Sequence, residues 1–86
     1  MSREVILFVP DVAEFRPVVD SARATGESRV TLTDEGYNVI RSQQPLRFSR
    51  KALGVKPPIW YAIPTGGLVG QIVQFDRDTL VIEPES

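Results

Sequence analysis

The sequence predicts an α+β fold in which one N-terminal helix packs on a mostly antiparallel β-sheet. Three observations carry that expectation. A continuous β-branched and aromatic run, Val5-Ile6-Leu7-Phe8-Val9, opens the chain. Val12, Phe15, Val19 and Ala22 then recur near a helical period before Gly26. From Arg29 onward, short apolar stretches alternate with turn residues, as strands of an antiparallel sheet do. A small, partly open β-barrel is the alternative, because Gly67 and Gly70 permit the sharp bends that barrels require.

Taken in order, residues 4–9 read as a strand buried on both faces and closed by Pro10. Asp11 with Glu14 three residues later resembles a helix start, with Asp in place of the usual Ser or Thr of a capping box. Pro17 leaves two versions of the helix within residues 11–25. Either it kinks at Pro17, or it begins close to Pro17 and residues 11–16 form a loop. Residues 29–33 and 37–41 form a hairpin across Asp34-Glu35-Gly36, a type I turn closed by a left-handed glycine. A helix capped at Thr33 competes, but Gly36 in its first turn weighs against it. Gln43-Gln44-Pro45 is a break. Ser49 then caps one short helical turn that Gly54 ends, with Val55 as the apolar residue beyond the stop.

Lys56-Pro57-Pro58 reads as an extended exit into a short strand over residues 59–63, at a sheet edge between prolines. Thr65-Gly66-Gly67 is a turn. Residues 68–75 and 79–82 are two strands joined by Asp76-Arg77-Asp78, with Val69, Ile72 or Val73, Leu80 and Ile82 competing for the core face. Residues 83–86 form a polar tail.

Composition narrows the chemistry. The 86 residues make a single domain, 1–86, with one modest core, so self-association or docking on a larger partner would be a natural supplement. There is no cysteine and no histidine. Disulfides, thiolate metal sites, cysteine nucleophiles and the commonest general base are therefore excluded. No metal or other cofactor is expected. The apolar run at Val5 is too short for a signal-peptide core, and no stretch is long enough to span a bilayer. A cytoplasmic protein with no membrane partner is the expectation.

Charge is segregated along the chain. Between Glu35 and Asp76 there is no acid, while Arg41, Arg47, Arg50, Lys51 and Lys56 all lie in that gap. The formal net charge of -1 conceals this asymmetry. Arg47, Ser49, Arg50, Lys51 and Lys56 are the candidate anion site, for a small anionic ligand or single-stranded nucleic acid. Two cations in the first turn of a helix oppose its dipole, and an anion on the amide of Ala52 would relieve the conflict. The bland alternative is a turn too short for a useful dipole, with both side chains in water.

Thr65, Gly66 and Gly67 form a loop where backbone could approach a ligand or another subunit closely, although a turn explains them as well. Trp60 and Tyr61 are the candidate interface anchors. Asp76 and Asp78 read as turn residues, since no further acid lies nearby in sequence to complete a cation shell.

No catalytic residue is assigned. Lys51, Lys56, Tyr37 and Tyr61 are the conceivable acid–base groups of a small enzyme or enzyme subunit. The leading expectation is a non-catalytic accessory protein that docks on a larger protein or self-associates as a homo-oligomer. The alternative is a module that binds an anionic ligand or nucleic acid through residues 47–56.

Overall fold

The computed structural model describes residues 3–85. Its elements run β1 (Val5–Pro10), a 3-10 turn (Ala13–Phe15), α1 (Arg16–Ala24), β2 (Ser28–Leu32), β3 (Tyr37–Ser42), β4 (Leu46–Ser49) and α2 (Arg50–Leu53). They continue with α3 (Pro57–Ala62), a second 3-10 turn (Ile63–Gly66), β5 (Leu68–Val69), β6 (Gln71–Phe75) and β7 (Thr79–Glu83). The strands form two antiparallel sheets, ordered β2-β3-β1-β5 and β4-β7-β6. This is the expected α+β fold, and there is no closed barrel.

Pro17 settles where α1 starts. It sits in the first turn, where its missing N–H would have had no intrahelical partner anyway. Residues 11–15 lie outside the helix, and the Asp11/Glu14 capping box does not form. Asp11 instead accepts a 3.2 Å hydrogen bond from the side chain of buried Asn38, which satisfies a polar group that the sheet encloses. The β2–β3 hairpin turns over Thr33–Gly36 as expected, with Gly36 at φ 85°.

Register decides which side chains face the core, because directly opposed residues in an antiparallel pair share a face. Val5, Leu7 and Val9 oppose Ser42, Ile40 and Asn38, and Ile40 in turn opposes Val30. Onto this face pack Val18, Val19 and Ala22 of α1. The second sheet contributes Leu46, Phe48, Leu80 and Ile82 to the same cluster, which Trp60 and Ile63 complete.

Three expectations need correction. Residues 59–63 are helical, not a strand, because Pro57 and Pro58 occupy the first turn of α3. Only Lys56 stays extended, and its carbonyl accepts from the Trp60 amide at 2.9 Å. Helical spacing then puts Ile59, Trp60 and Ile63 toward the core.

Residues 68–75 are two strands, not one. β5 pairs with β1 in the first sheet and β6 pairs with β7 in the second, and the chain changes sheet at Gly70. β6 also carries a bulge between Ile72 and Gln74. Ile72 and Val73 therefore stay exposed while Phe75 packs part-buried against the core, and Leu80, Val81 and Ile82 of β7 supply the buried positions.

β1 is not buried on both faces, since Ile6 and Phe8 remain partly accessible. β4 was not anticipated at all. It is four residues long and follows Pro45, yet Leu46 and Phe48 are both buried.

Candidate interaction surface

The expected anion site folds into a capped turn that serves the fold. Ser49 accepts from the Ala52 amide at 3.3 Å, so that amide is already satisfied from within. The Arg50 amide donates to the Asp78 carbonyl at 3.0 Å and its Nε donates to the Arg77 carbonyl at 2.8 Å. Its guanidinium also lies 3.9 Å from the Asp78 carboxylate. Ser49 thus caps α2, and Arg50 clamps the β6–β7 turn onto it. Arg47, Lys51 and Lys56 are exposed and make no ion pair among the described residues.

Asp76 organises the same turn. Its Oδ1 accepts from the amides of Asp78 and Thr79 at 2.9 Å each, and Oδ2 accepts from Gln74 Nε2 at 3.0 Å. The Gln74 amide first, then the two backbone donors, holds the Asp76 carboxyl below the ordinary aspartate range. A depressed folded pKa stabilises the fold fully above the unfolded value of about 3.9, and that contribution is lost as pH falls through the lower folded value. Asp76→Ala should therefore lower the urea midpoint at pH 7, with the gap to wild type narrowing as both are titrated downward past the unfolded value of about 3.9. A gap that stayed constant with pH would show that the carboxylate's charge is not what holds the turn.

The Thr65-Gly66-Gly67 loop makes its close backbone approach inside the molecule. Thr65 donates to the Ala62 carbonyl, and the Gly67 carbonyl accepts from the Phe8 amide at 3.0 Å, extending the β1–β5 pairing. A Cβ on Gly66 would stand 2.5 Å from the Phe8 carbonyl oxygen. Of the two expected anchors, Trp60 is fully buried and its Nε1 donates to the Asp76 carbonyl at 2.8 Å. Tyr61 is exposed, with its ring centroid 5.6 Å from that of Phe75.

The surface that sequence reasoning missed is the outer face of the four-stranded sheet. The register that sends Val5, Leu7 and Val9 inward sends Ile6, Phe8 and Pro10 outward, beside Arg41, Val39 and Tyr37 of β3. Val69 of β5 opposes Ile6, while Arg29 and Thr31 of β2 oppose Arg41 and Val39. Among the described residues, every buried apolar helix residue belongs to the cluster on the inner face. No helix of the fold thus supplies a buried residue to the outer face. Val39 is 5% exposed yet lies outside the core cluster. Val69 is 49% exposed. The signal was present in the sequence: a strand apolar on both faces, in a chain with only one long helix to cover it.

At one end of this sheet an open cleft of about 570 Å³ is lined by Glu4, Glu27, Arg29, Arg41 and Gln44 among others. It carries both signs of charge. Among the described residues no group of three or more acids is placed to hold a metal ion. Among the described residues the two buried polar side chains, Ser42 of this cleft and Asn38 toward the far end of the sheet, both have hydrogen-bond partners. No helix of the described chain is long and apolar enough to cross a membrane. Comparison with protein-family models gives no match, and a search of curated proteins gives none either.

Proposed function

We propose that this chain is a non-catalytic interaction module that docks on a protein partner through the outer face of the β2-β3-β1-β5 sheet. The observation that carries the reading is an apolar sheet face, Ile6, Phe8, Tyr37, Val39 and Val69, with the helices packed on the opposite side. An antiparallel sheet commonly turns one face to solvent, but that face is then polar. Here it is apolar at its centre and charged at its rim, which is the anatomy of a protein interface. In support, no titratable side chain among the described residues is buried, so none is set in the desolvated surroundings that tune acid–base groups.

Affinity capture with the tagged chain tests this when three forms are run side by side. Val69→Lys combined with Tyr37→Lys places charge on exposed positions of the face and should abolish capture of any stoichiometric protein, in low and high salt alike. Lys51→Glu combined with Lys56→Glu should leave capture intact. The reverse pattern, a nucleic acid or anionic ligand lost in the Lys51/Lys56 form and released by salt, would replace the docking reading with the anion-binding one.

A further inference from the structure

We infer that the free edge of β2 accepts an extended peptide segment of a partner protein as a fifth strand of the first sheet. The inference goes beyond the outer-face reading and does not rest on it, because it uses main-chain groups at the sheet's edge and no side chain of that face.

In an antiparallel ladder the main-chain groups of successive residues point alternately toward the paired strand and away from it. The Thr33 amide donates to the Tyr37 carbonyl at 2.8 Å, which fixes the phase of the β2–β3 pair. Arg29 and Thr31 therefore turn their N–H and C=O toward β3, opposite Arg41 and Val39. Ser28, Val30 and Leu32 turn theirs the other way, where the sheet ends. Among the described residues β2 pairs with β3 alone, so three donors and three acceptors stand free at a regular spacing of about 7 Å.

The other three edges are closed. β5 is two residues long, and of these only Leu68 faces outward. On β4 the Arg50 amide bonds to the Asp78 carbonyl, which leaves Arg47 and Ser49 outward. Pro45, with no N–H, precedes them and α2 follows at once. On β6 the Asp76 amide bonds to the Thr79 carbonyl, so Phe75 faces outward, and the bulge shifts the next outward residue to Ile72. Those two lie three residues apart, and a regular strand cannot pair with both. Short strands, proline and bulges are devices by which sheets keep their edges from pairing. β2 has no proline, lysine or bulge, and Leu32 on its free edge is 58% exposed. Its one charge, Arg29, belongs to a residue whose main chain is already paired with β3.

This array selects its own occupant. Free N–H and C=O groups at strand spacing are answered by another extended main chain. Five residues span about 17 Å, so edge-to-edge contact with a second copy falls well short of the roughly 800 Å² per partner of a stable dimer. A short peptide needs no such area, because the main-chain bonds themselves hold it. Alternate side chains of the added strand would lie beside Val30 and Leu32, so the segment is apolar at every second position.

A phage-displayed library of random ten-residue peptides, panned on the chain, supplies the probe. Selected peptides should carry apolar residues at alternate positions. In amide exchange followed by NMR, Val30 and Leu32 should exchange faster than Arg29 and Thr31 in the unbound chain, and bound peptide should slow them at least about tenfold. Leu32→Pro removes a donor that has no native partner, a change that edge strands tolerate. It should weaken peptide binding at least about tenfold, whereas Leu32→Ala, which keeps the N–H, should weaken it less than about threefold. The exchange measurement needs no variant, so it decides even where Leu32→Pro fails to fold.

The inference is overturned if no peptide is enriched, if Val30 and Leu32 are already protected in the unbound chain, or if bound peptide leaves their exchange unchanged. Val69→Lys with Tyr37→Lys should bind the peptide as wild type does. A peptide lost in that form but kept by Leu32→Pro belongs to the outer face, which ends the edge inference and leaves the docking reading standing.

Discussion

Replacing Trp60 with alanine is expected to leave the chain largely unfolded at 37 °C. Trp60 is fully buried, belongs to the cluster shared by both sheets, and packs its ring 5.9 Å from that of Phe75. Truncating a buried tryptophan costs about 3–5 kcal/mol. The same change removes the donor to the Asp76 carbonyl, in the turn that Asp76 and Arg50 organise. A domain of this length has a total stability of only about 4–13 kcal/mol. The melting temperature should fall by roughly 20 °C.

Trp60→Phe separates the two contributions. It keeps most of the ring contact with Phe75 and loses the hydrogen bond, so about 1–2 kcal/mol should be lost. Trp60 is the only tryptophan, so its fluorescence follows unfolding of the wild type, while far-UV circular dichroism is needed for the variants. If Trp60→Ala melted within a few degrees of wild type, the second sheet would not depend on α3 for its packing.

The local turns were legible because each depends on residues next to one another. The Ser49 cap, the Gly54 stop and the Gly36 turn all stand where composition placed them. What failed had a tertiary cause. Ile59-Trp60-Tyr61-Ala62-Ile63 is rich in residues that favour strands, and its helicity follows from two prolines that begin a helix as readily as they edge a sheet. The sequence also marked Arg47 to Lys56 as the place to look for a ligand, because five polar or cationic residues lie close together there. Folding assigns two of them to the fold itself, Ser49 to capping α2 and Arg50 to holding the last hairpin.

The outer sheet face is assembled from β1, β3, β5 and β2, which lie as much as sixty residues apart. Arg29 and Arg41 come to stand opposite each other only through register. Spacing along the chain carries no trace of that pairing. The acid-free stretch from residue 36 to 75 is likewise divided by the fold, with Arg41 on the first sheet and Arg47 on the second.

Gly70→Ala is the second large effect, and it tests how the two sheets are joined. Gly70 has φ 139°, a backbone conformation that a residue with a Cβ rarely adopts. It is the point where the chain leaves β1's sheet and joins β7's, so its geometry is imposed from both sides. A Cβ there would stand 2.9 Å from the Glu83 carbonyl oxygen and 3.1 Å from Ile82 Cγ2. The first neighbour is backbone and the second lies in the core, so neither can swing aside. Backbone strain alone costs about 1–3 kcal/mol, and displacing β7 adds to it. Gly26→Ala is the matched control, because Gly26 also has positive φ, at 73°, but a Cβ there meets nothing within 4 Å. It should cost only about 1 kcal/mol. Denaturant melts of the two variants should therefore differ by about 2 kcal/mol or more. Equal losses would mean that β5 and β6 can slide at Gly70 without disturbing β7, and that the two sheets are not rigidly coupled through this residue.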